Sequence, residues 1–160
     1  MSSFVATAGN TTPDTPADAA TIENDGWFPD IDLNDLRLAM KLDGTATFER
    51  LRLSAIDAIA TVNADLGKWQ AAQTAAGFAD LASVPAPKLA GTSIQVQRYT
   101  RAVYHLTHAD ITERYRGYDS TKSGGQKAED LEETICTSRR NARWAMNDIR
   151  GIARSTIELI

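Results

Sequence analysis

Between Phe48 and Trp69 the residues Phe48, Leu51, Ala55, Ile59, Val62, Leu66 and Trp69 recur at steps of three or four. That spacing places them on one face of an α-helix and is incompatible with the two-residue alternation of a strand. Thr47 stands where a capping residue belongs, Glu49 supplies an acid in the first turn, and the pattern runs on through an Ala/Gln-rich stretch to Gly77. At ~1.5 Å per residue such a run makes a rod of roughly 45 Å. A rod with one long apolar stripe must bury it against other elements, and the remaining periodic segments are also helical. Gly67 lies inside the run, where glycine costs about 1 kcal/mol relative to alanine and can mark a bend.

The other periodic segments supply the cover. Asp32 suits the N-cap of a short first helix, with Asp35 in its first turn, Leu33, Leu36 and Met40 as its stripe, and Gly44 beyond its end. A third helix starts after Thr92 or Ser93 and reaches about Tyr115. It has two stripes: Val96, Tyr99, Val103 and Leu106 form one, and Tyr104, Ile111, Tyr115 and Tyr118 the other. The second stripe is either buried on the far side of a central helix or covered by a neighbouring subunit. A fourth helix runs from about Gln126 to Arg150 with Ala128, Leu131, Ile135, Ala142, Ala145, Met146 and Ile149 inward, interrupted at Ser138-Arg139. The Gly/Ser segment at 117–125 predicts an antiparallel hairpin between these two helices. Pro85, Pro87 and Gly91 make residues 78–91 a linker. The expected class is all-α, an antiparallel bundle of about four helices, two or three of them long.

Residues 1–23 read as a disordered acidic arm, because Thr, Ala, Pro and Asp dominate and almost no large apolar side chain is present. Order is expected to begin at Gly26-Trp27-Phe28-Pro29, with Trp27 and Phe28 docking an extended segment onto the helices or onto a neighbouring copy. The helical domain then covers 24–151, and 152–160 is an extended tail. Charge divides in the same sense. Met1 to Asp35 holds seven acids and no base, for −7; the remainder holds fourteen acids and seventeen bases, for +3. Arg139, Arg140, Arg143, Arg150 and Arg154 are opposed in their own stretch only by Asp148. Arm and basic end either meet across subunits or remain solvated.

A net charge of −4 gives no bulk footprint for nucleic acid. No apolar run approaches the ~20 residues of a membrane span, and the first residues show no secretory pattern. Cys136 is alone, which fits a reducing cytoplasm, and its spacing from Leu131 and Ile135 predicts a packed thiol.

Chemistry is scarce. His105 and His108 at i and i+3 could share a helix face, with Asp110 and Glu113 near, but no third ligand has diagnostic spacing, so two surface histidines are expected. Lys122-Ser123-Gly124-Gly125-Gln126-Lys127 lacks P-loop spacing and reads as a turn and cap. Glu129, Asp130, Glu132 and Glu133 are expected in the first turns of the fourth helix, complementing its dipole. Arg139, Arg140 and Arg143 beside Trp144 suit either acids of a neighbour or phosphate. No nucleophile, metal or cofactor motif is recognised, so the expectation is a non-enzyme without cofactor.

The chain's last residues are unlike the helices before them. After Gly151, Ser155-Thr156-Ile157-Glu158-Leu159-Ile160 is β-prone and alternates, with Ile157 and Leu159 on one side. An extended segment needs backbone partners, which strand addition to another chain can provide; folding back on its own helices is the alternative.

Several short motifs occur together in order: Asn24-Asp25-Gly26-Trp27-Phe28-Pro29-Asp30-Ile31-Asp32, Arg37-Leu38-Ala39-Met40-Lys41-Leu42-Asp43-Gly44-Thr45, Val62-Asn63-Ala64-Asp65-Leu66, and Tyr99-Thr100-Arg101-Ala102-Val103-Tyr104. Glu113-Arg114-Tyr115-Arg116-Gly117-Tyr118-Asp119, Arg140-Asn141-Ala142-Arg143-Trp144-Ala145 and Thr156-Ile157-Glu158-Leu159-Ile160 complete the set. From about residue 24 to its end the chain resembles the head completion, or head–tail connector, proteins of temperate contractile-tailed bacteriophages. The resemblance implies a helical adaptor in the virion neck, assembled in the host cytoplasm. It implies a ring, commonly of twelve copies, beneath the portal after DNA packaging, joined to a neck or tail completion protein, with packaged DNA possible in the lumen and no membrane partner. By that analogy Ser155 to Ile160 would contact the portal. Candidate subunit contacts are Trp27, Phe28, Tyr104, Ile111, Tyr115, Arg139, Arg140, Arg143 and Trp144. The alternative is a DNA-binding, packaging-associated helical module that uses the C-terminal arginines.

Overall fold

Thr47 caps the long rod: its Oγ1 accepts the Arg50 N–H at 3.4 Å, and the helix runs from Phe48 to Ala75. This computed structural model describes residues 20–42, 46–116 and 124–154, with the side chains of 115, 116 and 124–130 outside the description. Helix α1 (Leu33–Ala39) begins at Asp32, whose Oδ1 accepts the N–H groups of Asn34 and Asp35. Helices α2 (Phe48–Ala75), α3 (Ile94–Arg116) and α4 (Gly124–Arg150) contain 28, 23 and 27 residues. The described residues are therefore mostly helical, with two small sheets. Strand β1 (Thr21–Ile22) pairs antiparallel with β2 (Ile31–Asp32), Ile22 opposite Ile31. Strand β3 (Lys88–Leu89) pairs with β4 (Thr92–Ser93), Leu89 opposite Thr92.

Cross-helix bonds fix the relative direction of the rods. Ser54 on α2 bonds Asp110 on α3, and Asn63 bonds Tyr99 further along, so residue numbers rise on one helix as they fall on the other. The same holds for α3 and α4, where Arg98 meets Asp148 and His108 meets Ser138. Arg150 of α4 reaches Asp65 of α2 at 2.7 Å, which closes the third side. The core lies among the three rods and is filled by Leu51, Val62, Leu66, Tyr99, Val103, Ala142 and Met146. Helix α3 is buried on both sides: Tyr104 and Ile111 lie in the protomer's interior alongside Tyr99 and Val103. Tyr104 and Ile111 of the second stripe thus find their cover within the chain; the side chain of Tyr115, and Tyr118, lie outside the description.

Order begins earlier than Gly26. Ala20 is buried, its carbonyl accepts the Leu33 N–H at 2.8 Å, and Ile22 enters the core. The arm therefore cannot extend unbroken to residue 23; its first nineteen residues lie outside the description, as do 43–45, 117–123 and 155–160. The linker at 78–91 is also more structured than its prolines suggest. Asp80 and Ser83 cap each other around a short 3-10 turn, Leu81–Ser83, and a tight hairpin joins β3 to β4 through Ala90 and Gly91, both at positive φ.

Helix ends reuse one device. At the C-termini of α1, α2 and α4 an N–H returns to the carbonyl five residues back: Leu42 to Arg37, Phe78 to Gln73 and Ile152 to Asn147. The residue in the left-handed conformation is Lys41, Gly77 and Gly151 in turn. Lys41 takes the left-handed position just past the first helix, and Gly44, expected beyond its end, lies outside the described residues. Helix α4 starts at Gly124, before Gln126, so its acidic run falls beyond the first turn.

Candidate interaction surface

The conspicuous polar chemistry of the fold sits where the N-terminal segment crosses α2 and α3. Asn24 Nδ2 donates to Tyr99 Oη at 2.8 Å, Tyr99 Oη donates to Asn63 Oδ1 at 2.6 Å, and Asn63 Nδ2 donates to Asn24 Oδ1 at 2.9 Å. Every donor in this closed triangle finds an acceptor, as partly buried polar groups require. Asn24 Nδ2 also reaches the Pro29 carbonyl, and Asp25 Oδ1 accepts the N–H groups of Trp27 and Phe28. That turn drives both aromatic rings inward. Phe28 stacks on Tyr99 with centroids 4.7 Å apart, and Trp27 packs edge-on to Trp69 at 5.9 Å. Trp27 Nε1 donates to the Phe78 carbonyl. Trp27 and Phe28 are 8% and 2% exposed, so they anchor the segment on its own helices. Burial raises the Tyr99 phenol far above its ordinary range. It also pushes Tyr104 up to about 12, helped by Asp35 and Asp32.

The histidines are not on the open surface. Both are half-buried and line a cleft between α3 and α4 with Met40, Lys41 and Ser138. His108 Nδ1 lies 2.8 Å from the buried Ser138 hydroxyl. Ser138 thus continues the inward stripe that its polarity had seemed to interrupt. His105 Nδ1 is buried without a hydrogen-bond partner. Desolvation lowers the affinity of both rings for a proton, and Arg101 and His108 add to the effect at His105. Among the described residues, no three His, Cys, Asp or Glu side chains gather as metal ligands would. No helix among them is long and apolar enough to cross a membrane.

The arginines divide into two sets. Arg139 bonds Glu113 at 2.5 Å, Arg150 bonds Asp65 at 2.7 Å, and Arg154 pairs with Asp148, all within the protomer. Arg154 keeps the Asp148 carboxyl below its ordinary range. Arg140 and Arg143 are exposed and make no ion pair with a described residue. The Arg140 and Arg154 guanidinium carbons stand 4.8 and 5.1 Å from the half-buried Trp144 ring centroid. Cys136 is exposed, contrary to the packed thiol expected from Leu131 and Ile135. The inward positions are Ile135 and Ser138, and a residue next to Ile135 points about 100° away from it. The Asn24–Tyr99–Asn63 triangle is not legible in the sequence. All three residues stand in the ordered short motifs, but nothing in local spacing pairs residues 36 or 75 positions apart.

The described residues thus define a mostly helical protein with a polar latch that serves packing and an exposed basic face on which Arg140 and Arg143 hold no described acid. Comparison with known proteins places it. Residues 22–160 match the family described as phage head completion protein (GPL). The chain is 38% identical over 148 residues to the head completion/stabilization protein of Escherichia phage P2, covering 92% of this chain and 88% of that one. The chain belongs to the phage head completion protein family. No solved structure matches it.

Proposed function

We propose that this protein is a non-catalytic structural subunit that forms a ring beneath the portal after DNA packaging and links it to the neck or tail. Family membership supports a role in completing the head. The observation that carries the finer reading is the end of α4. Gly151 takes a φ of +72° and ends the helix; Ile152, Ala153 and Arg154 follow it exposed, Ile152 by 50%, while Arg154 stays paired with Asp148. A helix that stops at Gly151 and leaves Ile152 and Ala153 exposed ahead of the segment Ser155 to Ile160 suits a tail that adds as a strand to the portal. On this reading 24–151 is an antiparallel helical body, 152–160 its docking tail, and the site of action the neck of the virion after assembly in the host cytoplasm. Twelve copies follow from the resemblance, and packaged DNA would pass through the lumen. The arginines support protein contact over phosphate, because Arg139, Arg150 and Arg154 already hold acids of the same chain.

The test is deletion of 155–160, or Ile157→Asp, in a phage that supplies the chain only from a plasmid. The purified variant is expected to melt like the parent and to be absent from heads. A truncated protein still found on portals in images of purified necks would sink the tail model.

A further inference from the structure

Helix α2 has an uncharged strip on the side opposite its core stripe. Leu53, Ile56, Ala60, Ala64, Gly67 and Ala71 succeed one another at steps of three or four. Leu53 is 65% exposed and Ile56 38%. The strip runs for about 27 Å at the helical rise, with no charged side chain on it, although a helix side facing water is ordinarily polar or charged. Ile56 and Ala60 also wall a groove of about 860 Å³ whose opposite wall is Thr21–Asp25 and Asp30. Glu23, Asp25 and Asp30 make that wall acidic, and among the described residues Arg52 is the one cation lining the groove.

The same chain carries the complement. Cys136, Arg140 and Arg143 are exposed on α4, one to two turns apart, and both arginines lack an acid in the described protomer. We propose that the α2 strip and its acidic groove receive α4 of a second copy, with Arg140 and Arg143 set against Glu23 and Asp30. The apolar strip would supply buried area and the charge match the register. Different faces meet in such a contact, so it repeats head-to-tail and closes into a ring where the rotation allows. The proposal rests on the ring reading and adds to it which two faces meet.

Cys136 is the only cysteine in the chain and therefore reports the α4 face. Full-length chains with Ala60→Cys or Ala64→Cys, Cys136 retained, are concentrated and treated with a short bismaleimide. A ladder of dimers, trimers and higher species is expected, and it should vanish when Cys136→Ala is added. Ala60→Arg should weaken association by about tenfold or more, since it opposes like charges across the contact, while the melting curve of the protomer is unchanged. A cross-link from Ala60→Cys that persists with Cys136→Ala would mean that α2 meets α2, and would overturn the proposal. So would a cross-link from Ala60→Cys to a different virion protein. Oligomers of Ala60→Arg that sediment as the parent does would overturn it while leaving the ring reading standing. A parent chain that is single both in solution and on necks would end both.

Discussion

Tyr99 Oη donates to Asn63 Oδ1 across the α2–α3 interface at 2.6 Å, and the same oxygen accepts from Asn24 of the N-terminal segment. One hydroxyl thus ties three parts of the chain that are far apart in sequence. Tyr99→Phe removes both bonds and leaves the Asn24 and Asn63 amides short of a partner. A loss of about 1–3 kcal/mol in urea unfolding is expected. Tyr104→Phe is the control. Its hydroxyl makes one bond at 3.4 Å to the Asp32 carbonyl, so the loss there should be smaller, about 0.5–1 kcal/mol. Equal losses would mean that the triangle adds nothing beyond a single weak bond.

Gly67 inside α2 and Gly77 just past its end should respond to alanine in opposite directions. Gly67 lies in the helix, and an added Cβ meets nothing within 4 Å. Gly67→Ala should therefore stabilise by about 1 kcal/mol through helix propensity. Gly77 has open space too, but at φ +95° it holds the C-terminal turn. Gly77→Ala should cost about 1 kcal/mol because the left-handed conformation disfavours a Cβ. Thermal melts of the two variants read the signs directly.

Stability should fall as the pH drops below the ordinary histidine value of 6.5. Burial lowers the folded-state proton affinity of His105 and His108, most directly at His108, where no other cause contributes. Below 6.5 the unfolded chain takes up protons that the folded chain refuses, so the unfolded state is favoured from there down through the folded-state values. Above 6.5 both states are neutral and the effect is absent. Replacing both histidines with glutamine should flatten the slope between about pH 7 and 5, near the ordinary histidine range. An unchanged slope in chemical unfolding would assign the acid sensitivity to carboxylates such as Asp148.

Arg139 and Arg143 should separate stability from assembly. Arg139→Glu breaks the pair with Glu113, but both side chains are more than half exposed, so the protomer should lose under about 1 kcal/mol. Arg143→Glu changes no described ion pair and should leave the melt unchanged. The double variant should nonetheless weaken oligomer formation in dilute low-salt buffer, measured by sedimentation. Wild-type assembly would remove the arginines from the subunit contact.

Periodicity made the long helices legible, because Phe48 to Trp69 and Ala142 to Ile149 place apolar side chains on one face whatever surrounds them. Caps were legible for a similar reason: Asp32 and Thr47 satisfy N–H groups only two or three residues ahead. The family was also evident in the ordered short motifs, and the comparisons show it. Which neighbour covers each stripe was not written locally. Trp27, Phe28, Tyr104 and Ile111 looked equally suited to a core or a subunit contact, and only packing in three dimensions put them inside the protomer. Ser138 and His108 likewise read as an interruption and a surface residue until their 2.8 Å contact joined them. Local spacing sets which residues share a face, because backbone geometry repeats every few residues. The partner of that face is set by contacts between residues distant in the chain, and those exist only once the helices are assembled.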